Sequence, residues 1–254
     1  KNLKEMFGSK RVFDVPASEN ALTGVAIGAG LVGYRSVMVH QRLDFFLLAM
    51  DQLVNGAAKW HFMFGGKSAV PITIRLIVGR GWGQGAQHAQ NLQALFTHIP
   101  GLKVVMPSMA KDAKGMLISA IEDDNPVLFI EHRWLHHLND NVPEEYYKIP
   151  LCNGRVIREG TAVTIVAFSY MVVEAIRVAN KLAEYNIEVE VECLSESWDC
   201  DQEICYDPGT GNGQYSSLAA CQANCVSTSI ISQDIGCLNI YPNPTRGLFN
   251  ISFG

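Results

Sequence analysis

From residue 35 onward the apolar positions switch between two spacings. The runs "RSVMVHQ" (35–41), "VPITIRLIV" (70–78), "GLKVVMP" (101–107) and "NPVLFIEH" (125–132) are short and nearly all apolar. Strands covered on both faces read this way, because neither side of the pleat has to meet water. Between them, "DFFLLAMDQLVNGAAKWHFMF" (44–64) and "AKDAKGMLISAIED" (110–123) repeat apolar residues at helical spacing, the second with Ile118 and Ile121 on one side. The alternation predicts an α/β fold: a parallel sheet with helices on both faces. Upstream, "DVPASENALTGVAIGAG" (14–30) reads as a Gly/Ala-rich helix capped by Ser18, with the acid Glu19 in its first turn, where the helix dipole favours negative charge.

The pattern then breaks. "HRWLHHLNDNVPEEYYKIPLCNGRVIREG" (132–160) is polar and Pro-bearing and reads as a connection. A second unit follows: strand "TAVTIVAFS" (161–169), helix "YMVVEAIRVANKLAEYN" (170–186) and strand "IEVEVECL" (187–194). A lone βαβ unit cannot cover both faces of its own strands, so an apolar face involving Val163, Ile165 and Val172 is expected to stay open. After residue 195 the chain is turn-rich and Cys-rich, and it closes on "LNIYPNPTRGLFNISFG" (238–254), which alternates like β structure around a Pro-Asn-Pro turn. The expected divisions are 1–134, a connection at 135–160, an incomplete second α/β unit at 161–194, a Cys-rich module at 195–237, and a final segment at 238–254.

Composition narrows the function classes. The 254 residues carry a formal charge of −5 and no basic run, which excludes a nucleic-acid or anionic-membrane footprint. The best apolar run, residues 21–33, is too short and too Gly-broken to span a bilayer, and no signal peptide is apparent at Lys1. Residues 1–192 hold one cysteine, Cys152, whereas six follow from Cys193 to Cys237. The body therefore reads as a reduced, cytoplasmic protein and the tail as an oxidised, secreted one.

Three stretches could carry chemistry. "GRGWGQGAQHAQ" (79–90) follows a strand, and Gly81, Gly83 and Ala86 loosely fit a dinucleotide fingerprint; the acid that the fingerprint needs about 20 residues on is missing. What remains is His88 near the carboxyl end of a parallel strand, where open α/β sheets place ligands. "HRWLHH" brings together His132, His136 and His137, without the Cys or carboxylate company of a metal site. "IEDDNP" (121–126) reads as a solvated acidic turn whose carbonyls, Asp and Asn could hold a hard cation.

Six blocks taken in order, "RVFDVPASENALTGVAIGAGLVG", "DFFLLAMDQLVNGAAK", "GGKSAVPITIR", "GAQHAQNLQALFTHIPGLKVVMPS", "DAKGMLISAIEDDNPVLFIEH" and "VPEEYYKIPL", closely resemble the beta subunit of thiamine-diphosphate-dependent 2-oxo acid dehydrogenases of the pyruvate type. The resemblance spans about residues 1–194 and implies a transketolase-like pyrimidine-binding domain. It implies that Glu19 hydrogen-bonds the aminopyrimidine of thiamine diphosphate, that Phe45 packs on that ring, and that His88 is the active-site histidine near the substrate and the lipoyl acceptor. It further implies a monovalent-cation (K+) site at Ile72, Ala120, Ile121, Asp123 and Asn125. The implied partners are an alpha subunit in an alpha2beta2 heterotetramer, which holds Mg2+ and the diphosphate, a lipoyl-bearing acyltransferase, and a small 2-oxo acid.

This chain departs from the family pattern in places. "DVPASE" stands for the usual "DTPISE" and "QHAQ" for "QHSQ", so Ala17 and Ala89 replace a larger and a hydroxylated residue. About 40 residues at the family's start and most of its C-terminal domain are not represented, and the fragment alone is expected to be inactive. The tail is similar instead to a small Cys module followed by the opening of a type IX secretion sorting domain, suggesting two joined reading frames near residues 193–198. The alternative function is a secreted Cys-rich interaction protein with a catalytically passive front half.

Overall fold

A computed structural model describes residues 2–81, 83–151 and 154–194, together with the backbone of 199–201 and 204–206. The Cys-rich module and the sorting segment expected within 195–254 lie outside the described residues, apart from those two backbone stretches, which form an antiparallel pair, Asp199–Asp201 with Ile204–Tyr206.

The parallel sheet is present. Strands β1 (Ser36–His40), β2 (Ile72–Val78), β3 (Lys103–Val105) and β4 (Val127–His132) pair in the order β1-β2-β4-β3, all parallel, with Thr73 opposite Val127 and Val104 opposite Leu128. The two-residue period sorts their side chains into two cores. Ile72, Ile74, Leu76, Val78, Leu128 and Ile130 face helix α2 (Glu19–Leu31) and the helical run 43–63, burying Phe46 and Phe96. Val105, Val127 and Phe129 face helix α6 (Ala110–Glu122), which contributes Met116 and Ala120. Helices thus cover both faces of β2 and β4, while edge strand β1 leaves Val37 and Val39 exposed.

The run predicted as one helix at 44–64 is helical throughout but not uniform. It comprises α3 (Leu43–Phe46), a 3-10 turn at Leu47–Ala49, a π-helical segment at Gln52–Ala57 and α4 (Ala58–Met63). The π segment lies against α2, where Gly56 sits in contact range of the Ile27 side chain. A short α1 (Leu3–Phe7) precedes α2, and α5 (Gln93–Thr97) precedes β3.

The buried positions of α6 are Asp112, Gly115, Met116 and Ala120, while Ile118 and Ile121 are half-buried. A Cβ at Gly115 would stand 2.7 Å from both Ile149 and Tyr147, so the absent side chain admits the connecting segment.

The second unit has β6 (Val163–Ala167), α7 (Tyr170–Ala183) and β7 (Val189–Cys193), with β6 and β7 parallel as expected. The connection is shorter than read from the sequence, because Arg155–Arg158 forms β5, antiparallel to β7 on its other edge. Val172 is also not on the open face. It is fully buried with Ala175, Ala179, Val189 and Val191, whereas Val163 and Val166 stay exposed. The two units meet at Asp112, whose carboxylate takes two bonds from Arg155 Nη2 (2.8 and 2.7 Å), and at Ser108, whose hydroxyl lies 3.1 Å from Cys193 Sγ. Cys193 is a free thiol, and burial pushes its pKa up. Among the described residues no helix is long and apolar enough to cross a membrane.

Candidate active site

In a parallel sheet every strand delivers its carboxyl end to the same edge. Here β1 ends at His40, β2 runs into the Gly-rich loop at Gly79, and β4 ends at His132. The expected site residues gather along that edge. Phe45 stands just past β1 in the short α3. Its ring is 37% exposed and meets His88 edge-on, with centroids 5.1 Å apart at 89°. His88 closes the 3-10 turn Ala86–His88, and its Nδ1 is buried without a hydrogen-bond partner. A cavity of about 220 Å³ opens beside it, lined by Gly79, Arg80, Gly83, Gln84 and Ala89 as well as His88.

Glu19 is the first residue of α2 and half-buried. Ser18 occupies the N-cap position, but its hydroxyl makes no capping bond, which corrects its expected role. The Glu19 carboxylate has no hydrogen bond to any described residue; only its main-chain oxygen accepts one, from Thr23 Oγ1 at 2.8 Å. Its electrostatic partner is His40. Burial lowers the His40 pKa, and Glu19 opposes that shift. The His40 ring packs beside Phe46, with centroids at 5.0 Å.

Sequence reasoning missed Arg42 and Asp44, the two charged side chains buried beside this edge. Arg42 Nη2 donates to Gln84 Oε1, and Nη1 donates to Gln41 O at 3.0 Å. Asp44 Oδ1 accepts from Gln90 N at 3.2 Å and from Gln90 Nε2 at 2.8 Å. The signal available was the tetrad "HQRL" and its following Asp: polar residues wedged between a buried strand and an apolar helix. Of the buried side-chain polar atoms left without partners among the described residues, five belong to His40, Arg42, Asp44, His88 and Gln93. Buried polar atoms are ordinarily satisfied, so their concentration here marks a site built to meet polar atoms from elsewhere.

The other candidates fare differently. His132 Nδ1 accepts from Trp134 N at 3.3 Å, and the His132 ring stacks on Tyr170 at 5.1 Å and 18°. Burial lowers its pKa, with His136 and Arg80 adding to the shift. Among the described residues no group of three or more His, Cys, Asp or Glu could hold a metal ion. At the expected monovalent-cation position, Thr73 Oγ1 donates to Ala120 O (3.0 Å), and Arg35 Nη1 donates to both Ile121 O (3.2 Å) and Asp123 O (2.6 Å). Asp123 also pairs with Lys103, and Asp124 with Arg35. Two of the carbonyls, Ile121 O and Asp123 O, converge, but on a guanidinium nitrogen, and two basic side chains already neutralise the acids. This arrangement does not fit a K+ ion unless Arg35 moves.

Comparison with known proteins identifies the family. The family model "Transketolase, pyrimidine binding domain" matches residues 1–137, and "Transketolase, C-terminal domain" matches 153–206, continuing past residue 194. The chain is 41% identical over 224 residues to the acetoin:2,6-dichlorophenolindophenol oxidoreductase subunit beta of Cupriavidus necator, covering 88% of this chain and 66% of that protein. It is 44% identical over 189 residues to the pyruvate dehydrogenase E1 component subunit beta of Rickettsia felis, covering 74% and 58%. It also resembles, at 36% identity, the 2-oxoisovalerate dehydrogenase subunit beta of Pseudomonas aeruginosa, with 79% and 61% covered. The chain thus spans between about half and two thirds of the length of these relatives. Among solved structures, a split-gene transketolase described as an inactive beta4 tetramer superposes with a TM-score of 0.61 at 24% identity, covering 76% of this chain and 60% of that one. That likeness shows the fold.

Proposed function

From the premise that this chain belongs to the transketolase pyrimidine-binding domain family, as its first 137 residues show, we propose that it serves as the beta part of a thiamine-diphosphate-dependent 2-oxo acid dehydrogenase. The observation that carries the reading is the shared edge on which Glu19, Phe45 and His88 stand, together with the orphaned polar atoms beside them. An acid whose carboxylate has no hydrogen-bond partner among the described residues, on the same sheet edge as a partly exposed aromatic ring, suits a flat heterocycle that has both a π face and a basic nitrogen.

In this reading Glu19 shares a proton with a ring nitrogen of the aminopyrimidine. The half-buried setting strengthens that bond, because the effective dielectric is lower than in water. Phe45 offers its exposed face for stacking. When bound, thiamine diphosphate supplies a thiazolium carbon able to add to the carbonyl of a 2-oxo acid. His88 stands at the cavity mouth, placed to hold or deliver a proton at the substrate oxygen or the incoming acyl acceptor. We assign the diphosphate, with its Mg2+, to an alpha subunit in an alpha2beta2 assembly. A lipoyl-bearing acyltransferase is the acceptor. In this reading turnover requires the alpha partner, and the enzyme body works in the cytoplasm.

The test is Glu19→Gln in this chain assembled with its alpha partner. Loss of the shared proton lowers turnover by roughly 10²–10⁴-fold, the worth of a positioned acid or base. Turnover equal to that of the parent removes the assignment.

A further inference from the structure

His88 closes a short 3-10 turn with one long main-chain bond, from His88 N to Gly85 O at 3.4 Å. Gln84, four residues before it, lies between Gly83 and Gly85, whose φ angles of 65° and 76° fall in the left-handed region. The structure assigns the fixing of this loop to a two-point clip from the β1–α3 segment, with Arg42 and Asp44 as positioning residues for His88. Arg42 holds Gln84 on one side of the histidine, and Asp44 holds both the main-chain N–H and the side-chain amide of Gln90 on the other. Phe45, the next residue in the same segment, meets the imidazole itself. One short segment therefore sets the aromatic ring and the histidine relative to each other.

Burial makes this arrangement stiff. Arg42 is 5% and Asp44 8% exposed, so releasing either contact strands a charge in a place that water reaches poorly. The two also attract each other, Asp44 opposing the downward shift that burial and Arg133 impose on the guanidinium. Asp44 acts through its acceptor oxygen. Gln90 donates twice to Oδ1 and neither bond requires a full negative charge, so a side-chain amide can replace the carboxylate. That distinguishes a clip from electrostatic tuning of the imidazole.

The catalytic part of the inference rests on the role proposed for His88, so the test carries a readout independent of it. Amide hydrogen exchange of the 83–92 segment is followed in the full chain, alone and with its alpha partner. Asp44→Ala and Arg42→Ala each raise exchange of that segment by tenfold or more; Asp44→Asn leaves it within about twofold. Gln84→Ala, which removes only an exposed partner and does not threaten folding, reproduces the Arg42→Ala effect, and the double variant adds nothing. In turnover, the same variants lower kcat at nearly unchanged KM, and Asp44→Asn restores it. Unaltered exchange in Gln84→Ala and Asp44→Ala overturns the clip whatever the activity does. Asp44→Asn behaving like Asp44→Ala overturns it in favour of a role for the charge. Exchange behaving as stated with no change in kcat leaves the clip standing and removes its link to His88 catalysis.

Discussion

Single positions show where the chain stores strain. Ser169 sits at the turn from β6 into α7 with φ 52° and ψ −136°, and its buried Oγ has no hydrogen-bond partner. An L-residue in that backbone region costs on the order of 1–3 kcal/mol, and an orphaned hydroxyl adds to it. Glycine removes both costs but gives the unfolded chain more freedom, worth about 0.4–1 kcal/mol. Ser169→Gly is therefore expected to stabilise the protein by about 1 kcal/mol, read as a higher denaturant midpoint at unchanged slope; a lower midpoint would refute the strain. Residues differ in how visible they are in the sequence. Glu19, Phe45 and His88 each stand in a distinctive local string. Arg42 and Asp44 do not, because their meaning lies in Gln84 and Gln90, more than forty positions away.

Among the elements, strand ends carry a pH dependence. Burial holds His40, at the end of β1, and His132, at the end of β4, below the ordinary histidine pKa of 6.5. Glu19 partly offsets this for His40, whereas His136 and Arg80 reinforce it for His132. A depressed folded-state pKa means that the unfolded chain takes up protons first as pH falls through 6.5, so stability is present above that value and is lost below it. Protonation of His132 would also forfeit the bond its Nδ1 accepts from Trp134 N. The urea midpoint should fall between pH 7.5 and 5.5, by up to about 1.4 kcal/mol per pH unit for each histidine, and His40→Gln should flatten part of that slope. A midpoint constant across the range would contradict it. The elements themselves were most legible where burial is two-sided, as in β2, β3 and β4; β1 also reads as an apolar run, although its Val37 and Val39 face outward. Strand β5 was hidden because its sequence, Arg-Val-Ile-Arg, is half polar and its strand character comes from pairing with β7, some 35 residues on. The π-helical segment was hidden too, since it keeps the apolar pattern of an ordinary helix.

For the molecule as a whole, the sheet's parallel character followed from its covered strands, but its order, β1-β2-β4-β3, did not, since it depends on which crossover packs beside which. The surface left outside that order carries its own consequence. Val32 just past α2 is 73% exposed and Phe62 on α4 is 82% exposed, and Val25, Leu48, Met63 and Phe64 on the same helical layer also face outward, as Val163 and Val166 do in the second unit. Apolar surface on that scale is rarely left in water. At about 25 cal/mol per Å², a stable contact of roughly 1,200–2,000 Å² offers ample reason for association. We expect the chain alone to self-associate, its sedimentation coefficient rising with concentration, and added alpha partner to convert these species into one discrete heteromer. A concentration-independent monomer with a sharp two-state melt would show that these side chains need no cover, and with it the partner-dependent half of the proposed site would lose its physical basis.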